Sequence, residues 1–324
     1  MTSVKKYLYM AVVLLLVVIS FLIGNFIREK ALSKGLRMVY IPKVQDVNND
    51  FWSSLFDGAK MAAEEYDVDL KILAPLSEND YEGQIRCVEE AIAQHPDVIL
   101  LSPTSLTKIT GVARKVIEAD IKLILVDSTL NESIEHAIVA TDNFKAGVKM
   151  GEFLKTHMSE APVIGIVAHV EGSSTAVERE AGLRHGLGDF NKNVIDTIFC
   201  DSDYEKAYRL TKDLIARHPD INVIAGLNEY SAVGAARAVK ALGKTGQIQM
   251  IGFDSSLEEV RLLEAEVFDA IVIQKPFNMG YLGIETAIRS AKQTLKSKKV
   301  DSGSELITKE NMYTEKNQKL LFPF

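Results

Sequence analysis

Residues 250–254 read MIGFD, a short apolar run that ends on a carboxylate. Three other runs share this build: LILVD at 123–127, VIAGLN at 223–228 and AIVIQ at 270–274. Each alternates with a stretch of helical periodicity, which is the pattern of strands buried in a parallel sheet. In such sheets ligands bind outside the carboxyl ends of the strands. Asp127, Asn228, Asp254 and Gln274 are therefore candidate site residues on position alone. Two carboxylates and two amides suit the recognition of hydroxyl groups. They contain no metal set and no nucleophile–base pair.

The same alternation continues outward in both directions. Strand signals fall at 37–43, 69–73, 98–102, 122–127, 137–140, 163–168, 194–200, 223–228, 249–254 and 270–274. Helical patterns fall near 51–66, 82–95, 107–119, 143–158, 175–190, 204–217, 229–242, 256–265 and 277–297. Right-handed crossovers then give layered α/β sheets. About ten strands exceed one comfortable doubly wound sheet, so two lobes are expected. Ala93-Gln94-His95-Pro96-Asp97 ends one helix and leads into a strand, and Ala216-Arg217-His218-Pro219-Asp220 does the same later. Two readings are open: independent uses of a good helix stop, or the mark of two similar lobes.

Composition is that of a globular chain: 324 residues, 47% hydrophobic and 25% charged. The net charge of -7 argues against a nucleic-acid partner held by phosphate neutralisation. Cys87 and Cys200 sit in different halves and read as small buried hydrophobes, with no disulfide framework. The amino terminus is different. Residues 7–24 carry no charge and span roughly 27 Å as a helix, close to the hydrocarbon core of a bilayer. Lys5 and Lys6 precede them, which favours an inside amino terminus. No small-residue cleavage site stands out between Ile19 and Gly35, and no lipoprotein cysteine follows the apolar run. We expect one transmembrane anchor over 1–27, a stalk over 28–35, and the rest of the chain outside the cytoplasmic membrane. A cleaved signal segment is the alternative.

Two further stretches bear on a site. In Asn48-Asn49-Asp50-Phe51-Trp52, Asn49 and Asp50 are good helix N-caps and the two aromatics open the helix at the rim. Phe51 and Trp52 are either core residues or faces for the C–H side of a sugar. Glu171-Gly172-Ser173-Ser174-Thr175 reads as a loop entering a helix that carries Arg179. No phosphate-cradling loop, Rossmann fingerprint or nucleophile elbow occurs, and no histidine pair has metal-ligand spacing.

These motifs together resemble the type I periplasmic sugar-binding proteins of the ribose/galactose type, related to the effector domain of the LacI repressors. NNDFWSSLFDGA (48–59), LILVDS (123–128), ATDNFKAG (140–147), SSTAVEREAGL (173–183), NEYSAVGAARA (228–238), IGFDSS (251–256), VIQKP (272–276) and TKEN (308–311) carry the resemblance, which spans nearly all of 36–312. It implies sugar contacts from Asn49, Phe51, Trp52 and Asp127 in the first lobe, from Arg179, Asn228 and Asp254 in the second, and from Gln274 at the hinge. Two positions depart from the ribose pattern. Ser128 stands where an arginine usually follows the aspartate, and Asp203-Tyr204 replaces an Asp-Phe or Asp-Trp pair. Both Ser128 and Tyr204 are placed in the site; the expected ligand is a monosaccharide or polyol, and these departures leave it open among ribose, another pentose, a hexose, another polyol and a non-sugar carrying several hydroxyls.

The resemblance also implies three crossings between lobes, near 141–143, 274–276 and 303–306. Lobe 1 then comprises about 36–141 and 276–303, and lobe 2 about 142–274 and 304–324. It implies no enzyme activity, no cofactor and no metal. The expected partner is an ABC permease; the alternative is a membrane sensor histidine kinase that reads the sugar-loaded form.

Overall fold

Ten apolar runs form strands, and they divide between two sheets. The structure is a computed structural model and describes residues 7, 10–19, 35–158 and 161–322. The first sheet contains β1 (Arg37–Ile41), β2 (Asp69–Ile72), β3 (Val98–Leu101), β4 (Lys122–Val126), β5 (Ala137–Ala140) and β11 (Lys299–Asp301), all parallel, in the order β11-β5-β4-β3-β1-β2. The second contains β6 (Ile164–Ala168), β7 (Val194–Phe199), β8 (Val223–Gly226), β9 (Gln249–Phe253), β10 (Ala270–Ile273) and β12 (Glu305–Thr308), in the order β12-β10-β9-β8-β6-β7. The two orders correspond strand for strand: β1 to β6, β3 to β8, β4 to β9 and β5 to β10. Each sheet with its helices is called a lobe below.

Side chains alternate along each strand, and both faces are covered. In the first sheet Met38, Tyr40, Leu100, Ile124 and Val126 pack on one face; Val39, Ile41, Leu101, Leu123 and Leu125 pack on the other. This two-sided burial is why the runs are continuously apolar and not alternating. One face is covered by α1 (Asp50–Tyr66) and α9 (Pro276–Ala291), the other by α2 (Tyr81–Ala93) and α3 (Thr110–Glu118). In the second lobe α4 (Asn143–His157) and α5 (Ser174–Leu187) cover one face. The other is covered by α6 (Tyr204–Arg217), α7 (Glu229–Ala241), α8 (Leu257–Glu264) and the tail helix α10 (Glu315–Leu321). Glycines let the paired helices approach closely. A Cβ on Gly280 would stand 2.0 Å from the Leu55 carbonyl oxygen, and one on Gly182 would stand 2.1 Å from that of Phe144. The α1–α9 and α4–α5 contacts thus lock the helices that carry Trp52 and Arg179.

The chain passes between sheets after β5, after β10 and between β11 and β12. These passages are tied together: Thr141 Oγ1 lies 3.1 Å from Ser302 Oγ, and the Asp142 N–H donates to Asp301 Oδ1 at 3.2 Å. Asp97 and Asp220, the ends of the His-Pro-Asp turns, follow α2 and α6 and precede β3 and β8, so the turns hold equivalent places in the two lobes.

Two elements depart from the sequence pattern. β11 and β12 are short, half-polar edge strands without a periodic signal. β12 runs antiparallel to β10, so the second sheet is mixed and not wholly parallel. The chain reaches β12 directly from the other sheet, and an antiparallel edge strand needs no crossover helix. Helix α10 also lacked a signal. Residues 10–19 are helical with exposed side chains, and among the described residues no helix is long and apolar enough to cross a membrane. Apart from Tyr7, the rest of the expected anchor 1–27, and stalk residues 28–34, lie outside the described residues. Cys87 and Cys200 are both free thiols.

Candidate functional site

The carboxyl ends of the two sheets face each other across a cavity lined by residues of both lobes. Of the residues expected in a site, Asn49, Phe51, Trp52, Asp127, Arg179, Asn228, Asp254 and Gln274 line it. Ser128 and Tyr204 do not. Ser128 is buried beside the cavity, its hydroxyl donating to the Pro103 carbonyl at 3.0 Å. That bond anchors the turn after β4. Tyr204 stands one layer back: its hydroxyl donates to Glu229 Oε1 at 2.5 Å and accepts from Asn49 Nδ2 at 3.4 Å.

On the first lobe, Asn49 caps α1, its Oδ1 accepting the Trp52 N–H at 3.1 Å. The cap uses the amide oxygen and turns Nδ2 toward the second lobe. Trp52 is both core and wall. It is 2% exposed, stacks on Phe56 with centroids 6.1 Å apart, and its indole N–H donates to Glu78 Oε1 at 2.8 Å. Phe51 meets it edge to face at 5.1 Å and is the more exposed ring. Asp127 follows β4 with φ of 68°. Asp254, which follows the equivalent β9, has φ of 91°. Aspartate tolerates this left-handed region at a cost of about 1 kcal/mol, and both carboxylates are thereby turned out of the ladder at the sheet end.

On the second lobe, Arg179 is 3% exposed. Its Nε donates to Asn143 Oδ1 and its Nη1 to the Leu227 carbonyl, both at 2.8 Å, and its guanidinium lies 3.8 Å from the Phe253 ring centroid. These contacts fix the fork and leave Nη2 for the cavity. Asn228 caps α7 through a reciprocal bond with Ser231, which again occupies the amide oxygen. Asp254 accepts the Glu229 N–H at 3.0 Å and the Gln274 amide at 2.7 Å. Gln274 Oε1 is buried with no protein partner, so an acceptor remains. The arrangement is an array of fixed donors and acceptors around a partly aromatic wall, suited to binding a polyhydroxylated molecule.

The lobes also bond to each other around the cavity. Tyr230 donates to Asp46 at 2.7 Å, Ser202 to Glu78 at 2.6 Å, the Thr129 N–H to Ser174 Oγ at 2.8 Å and the Leu257 N–H to Asp50 at 2.8 Å. The arrangement is closed.

Burial raises three acidic side chains here, Glu229, Asp254 and Glu259, above their ordinary values. Glu229 is pushed up to about 8 by burial; the Tyr204 hydroxyl opposes this, and the Asp254 and Asp50 carboxylates add to it. Glu259 is likewise held well above its ordinary value by burial and by Asp254 and Glu229. For Glu229 the folded chain holds a proton that the unfolded chain releases above about pH 4.5. Stability therefore falls as pH rises from about 4.5 to about 8. We expect Glu229→Gln to narrow the difference in unfolding free energy between about pH 5 and pH 8 by roughly 1–3 kcal/mol. Urea melts of both proteins at both pH values check this, and equal differences would contradict it.

The sequence reading missed Lys43, Glu78, His169, Thr175, Glu229 and Tyr230, which also line the cavity. Lys43 and His169 had a signal: each stands just beyond the carboxyl end of a strand, β1 and β6, in the position that singled out Asp127. Glu78 lies in an irregular loop after β2 and had none.

Comparison with known proteins agrees with this geometry. The family model described as periplasmic binding protein domain matches residues 39–295. A solved sugar transporter from Clostridium phytofermentans is 44% identical, with a TM-score of 0.80, over 84% of this chain and 98% of that one. The ribose import binding protein RbsB of Escherichia coli is 26% identical over 261 residues, 80% of this chain and 85% of RbsB. An ABC transporter solute-binding protein from Agrobacterium vitis, solved with D-fucose bound, is 26% identical with a TM-score of 0.81, over 88% of this chain and 100% of that one.

Proposed function

The chain belongs to the periplasmic binding protein family, as a type I sugar-binding protein, and from that premise we propose that it clamps a monosaccharide or polyol outside the cytoplasmic membrane and delivers it to an ABC sugar importer. It is a binding protein and not an enzyme, as its relatives named for sugar transport and ribose import are. The observation that carries the proposal is the cavity itself. Fixed polar groups from both lobes and a partly aromatic wall converge there, at the carboxyl ends of two equivalent sheets.

In this reading Asn49, Phe51, Trp52 and Asp127 hold the sugar from one side, and Arg179, Asn228 and Asp254 from the other. Gln274 bonds it at a crossing. The ligand enters an open cleft, and closure follows by bending at the three crossings. Closure is favoured because the ligand contacts both lobes, giving it a differential affinity for the closed form. A wrong epimer leaves a buried polar group unpaired, at a cost of about 1–3 kcal/mol. The apolar run at 7–24 supports an anchor that keeps the protein at the membrane beside its permease. None of the observations favours the sensor kinase over the importer.

A thermal-shift screen of the full-length chain against D-ribose, D-fucose and the other common pentoses, hexoses and polyols tests this. The midpoint is expected to rise with at least one of them, following RT ln(1 + [L]/Kd). A midpoint unmoved by every one would end the carbohydrate reading.

A further inference from the structure

Glu229 stands at the seam between the lobes, and the sugar clamp described above leaves it unused. It opens α7 of the second lobe and is 3% exposed. The first lobe covers it: the Phe51 N–H, in the first turn of α1, donates to its Oε2 at 3.3 Å. Its Oε1 accepts from the Tyr204 hydroxyl, and that hydroxyl accepts in turn from Asn49 Nδ2 across the seam. Both routes from Glu229 therefore end on residues 49–51 of the opposite lobe. Beside it, Tyr230 donates to Asp46 and the Leu257 N–H to Asp50. Opening the cleft breaks the bonds to residues 46–51 and returns Glu229 to water.

The groups around Glu229 disfavour its charge. Among the described residues its side chain bonds a phenol and a backbone amide, and no ammonium or guanidinium. Three carboxylates face it: Asp50 from α1, Asp254 from beyond β9 and Glu259 from α8. The arginines of the adjoining helices bond other groups. Arg237, on α7 itself, pairs with Glu258 of α8, and Arg179 of α5 holds Asn143 and the Leu227 carbonyl. The start of a helix favours an anion. Burial beside three carboxylates outweighs that gain and pushes Glu229 up to about 8. The first lobe supplies part of the burial and the Asp50 charge, which exceeds the opposing effect of the Phe51 N–H. Closing the cleft therefore strengthens the hold of Glu229 on a proton, and by reciprocity the proton favours closing. We propose that Glu229 is a positioning residue that couples lobe closure, and with it sugar affinity, to the uptake of one proton at the seam. The proposal rests on the sugar-binding reading above. The sign follows from the closed form holding the proton more tightly than the open one. Affinity is full at low pH and is lost as pH rises through about 8.

The test is calorimetric titration of the full-length chain with D-ribose, D-fucose and the other common pentoses and hexoses. It is run at about pH 5.5 and about pH 8.5, and near pH 7 in buffers of low and high ionisation enthalpy. A sugar that binds is expected to do so about 10- to 100-fold more tightly at the lower pH, with uptake of roughly half to one proton per sugar near pH 7. Glu229→Gln, which carries no charge at any pH, is expected to abolish the uptake and to bind within about threefold at the two pH values. A merely structural role for Glu229 would shift affinity equally at both pH values and leave the uptake in place. The uptake is also read on the wild-type chain alone, so the outcome does not depend on the variant folding. Equal wild-type affinity at both pH values, absence of uptake, or uptake that persists in a folded Glu229→Gln variant would overturn the role of Glu229 and leave the sugar-binding reading intact. If the wild-type chain binds no sugar at either pH, this proposal and the sugar-binding reading fall together.

Discussion

Arg179→Ala is expected to lower sugar affinity by about 100-fold or more, the largest effect of any single change in the cavity. The guanidinium is buried, bonded to Asn143 and to the Leu227 carbonyl, and packed on the Phe253 ring. Its removal strips the cavity of a fixed cation and leaves two acceptors without a donor. It also removes the charge that opposes the burial-driven rise of Asp254. Stability should fall by roughly 2–4 kcal/mol while the fold persists. Arg179→Lys separates the two roles, because a lysine keeps the charge but not the planar fork. It should recover part of the stability and little of the affinity. Calorimetric titration and urea unfolding of both variants measure these effects. Affinity unchanged in Arg179→Ala would remove this residue from the site.

Trp52→Ala is expected to carry the largest stability cost, about 3–5 kcal/mol. The ring is almost wholly buried against Tyr40, Leu55, Phe56 and the sheet. Its indole N–H also holds Glu78, whose other oxygen accepts the Ser202 hydroxyl of the opposite lobe. One substitution thus opens a cavity in the first lobe and loosens a contact that joins the two. Trp52→Phe should restore most of the stability, because the ring still fills the space, but not the Glu78 bond. Urea melts at fixed pH measure the difference. A loss below about 1 kcal/mol in the alanine variant would contradict the packing described here.

The strands were legible because burial on both sheet faces makes them uniformly apolar, as in 98–101 and 123–126. β11 and β12 were not, because edge strands of three and four residues gain their order from the neighbours they join. In the cavity, the rule that a strand ends at a ligand led to Asp127, Asn228, Asp254 and Gln274. Applied to β1 and β6 it would also have led to Lys43 and His169. A lysine and a histidine read as isolated surface or core residues until the fold brings Thr175 between them. Ser128 and Tyr204 entered by their places in the family's motifs; in the fold Ser128 spends its hydroxyl on Pro103, and Tyr204 bonds the cavity residues Asn49 and Glu229.

The central claim is that the cavity binds one sugar between the two lobes. Its most direct test is calorimetric titration of the full-length chain with D-ribose, D-fucose and the remaining pentoses, hexoses and polyols. The expected result is a saturable isotherm at about one ligand per chain for at least one of them, lost in Arg179→Ala. Absence of saturable binding for every sugar, or binding that survives Arg179→Ala unchanged, would contradict it.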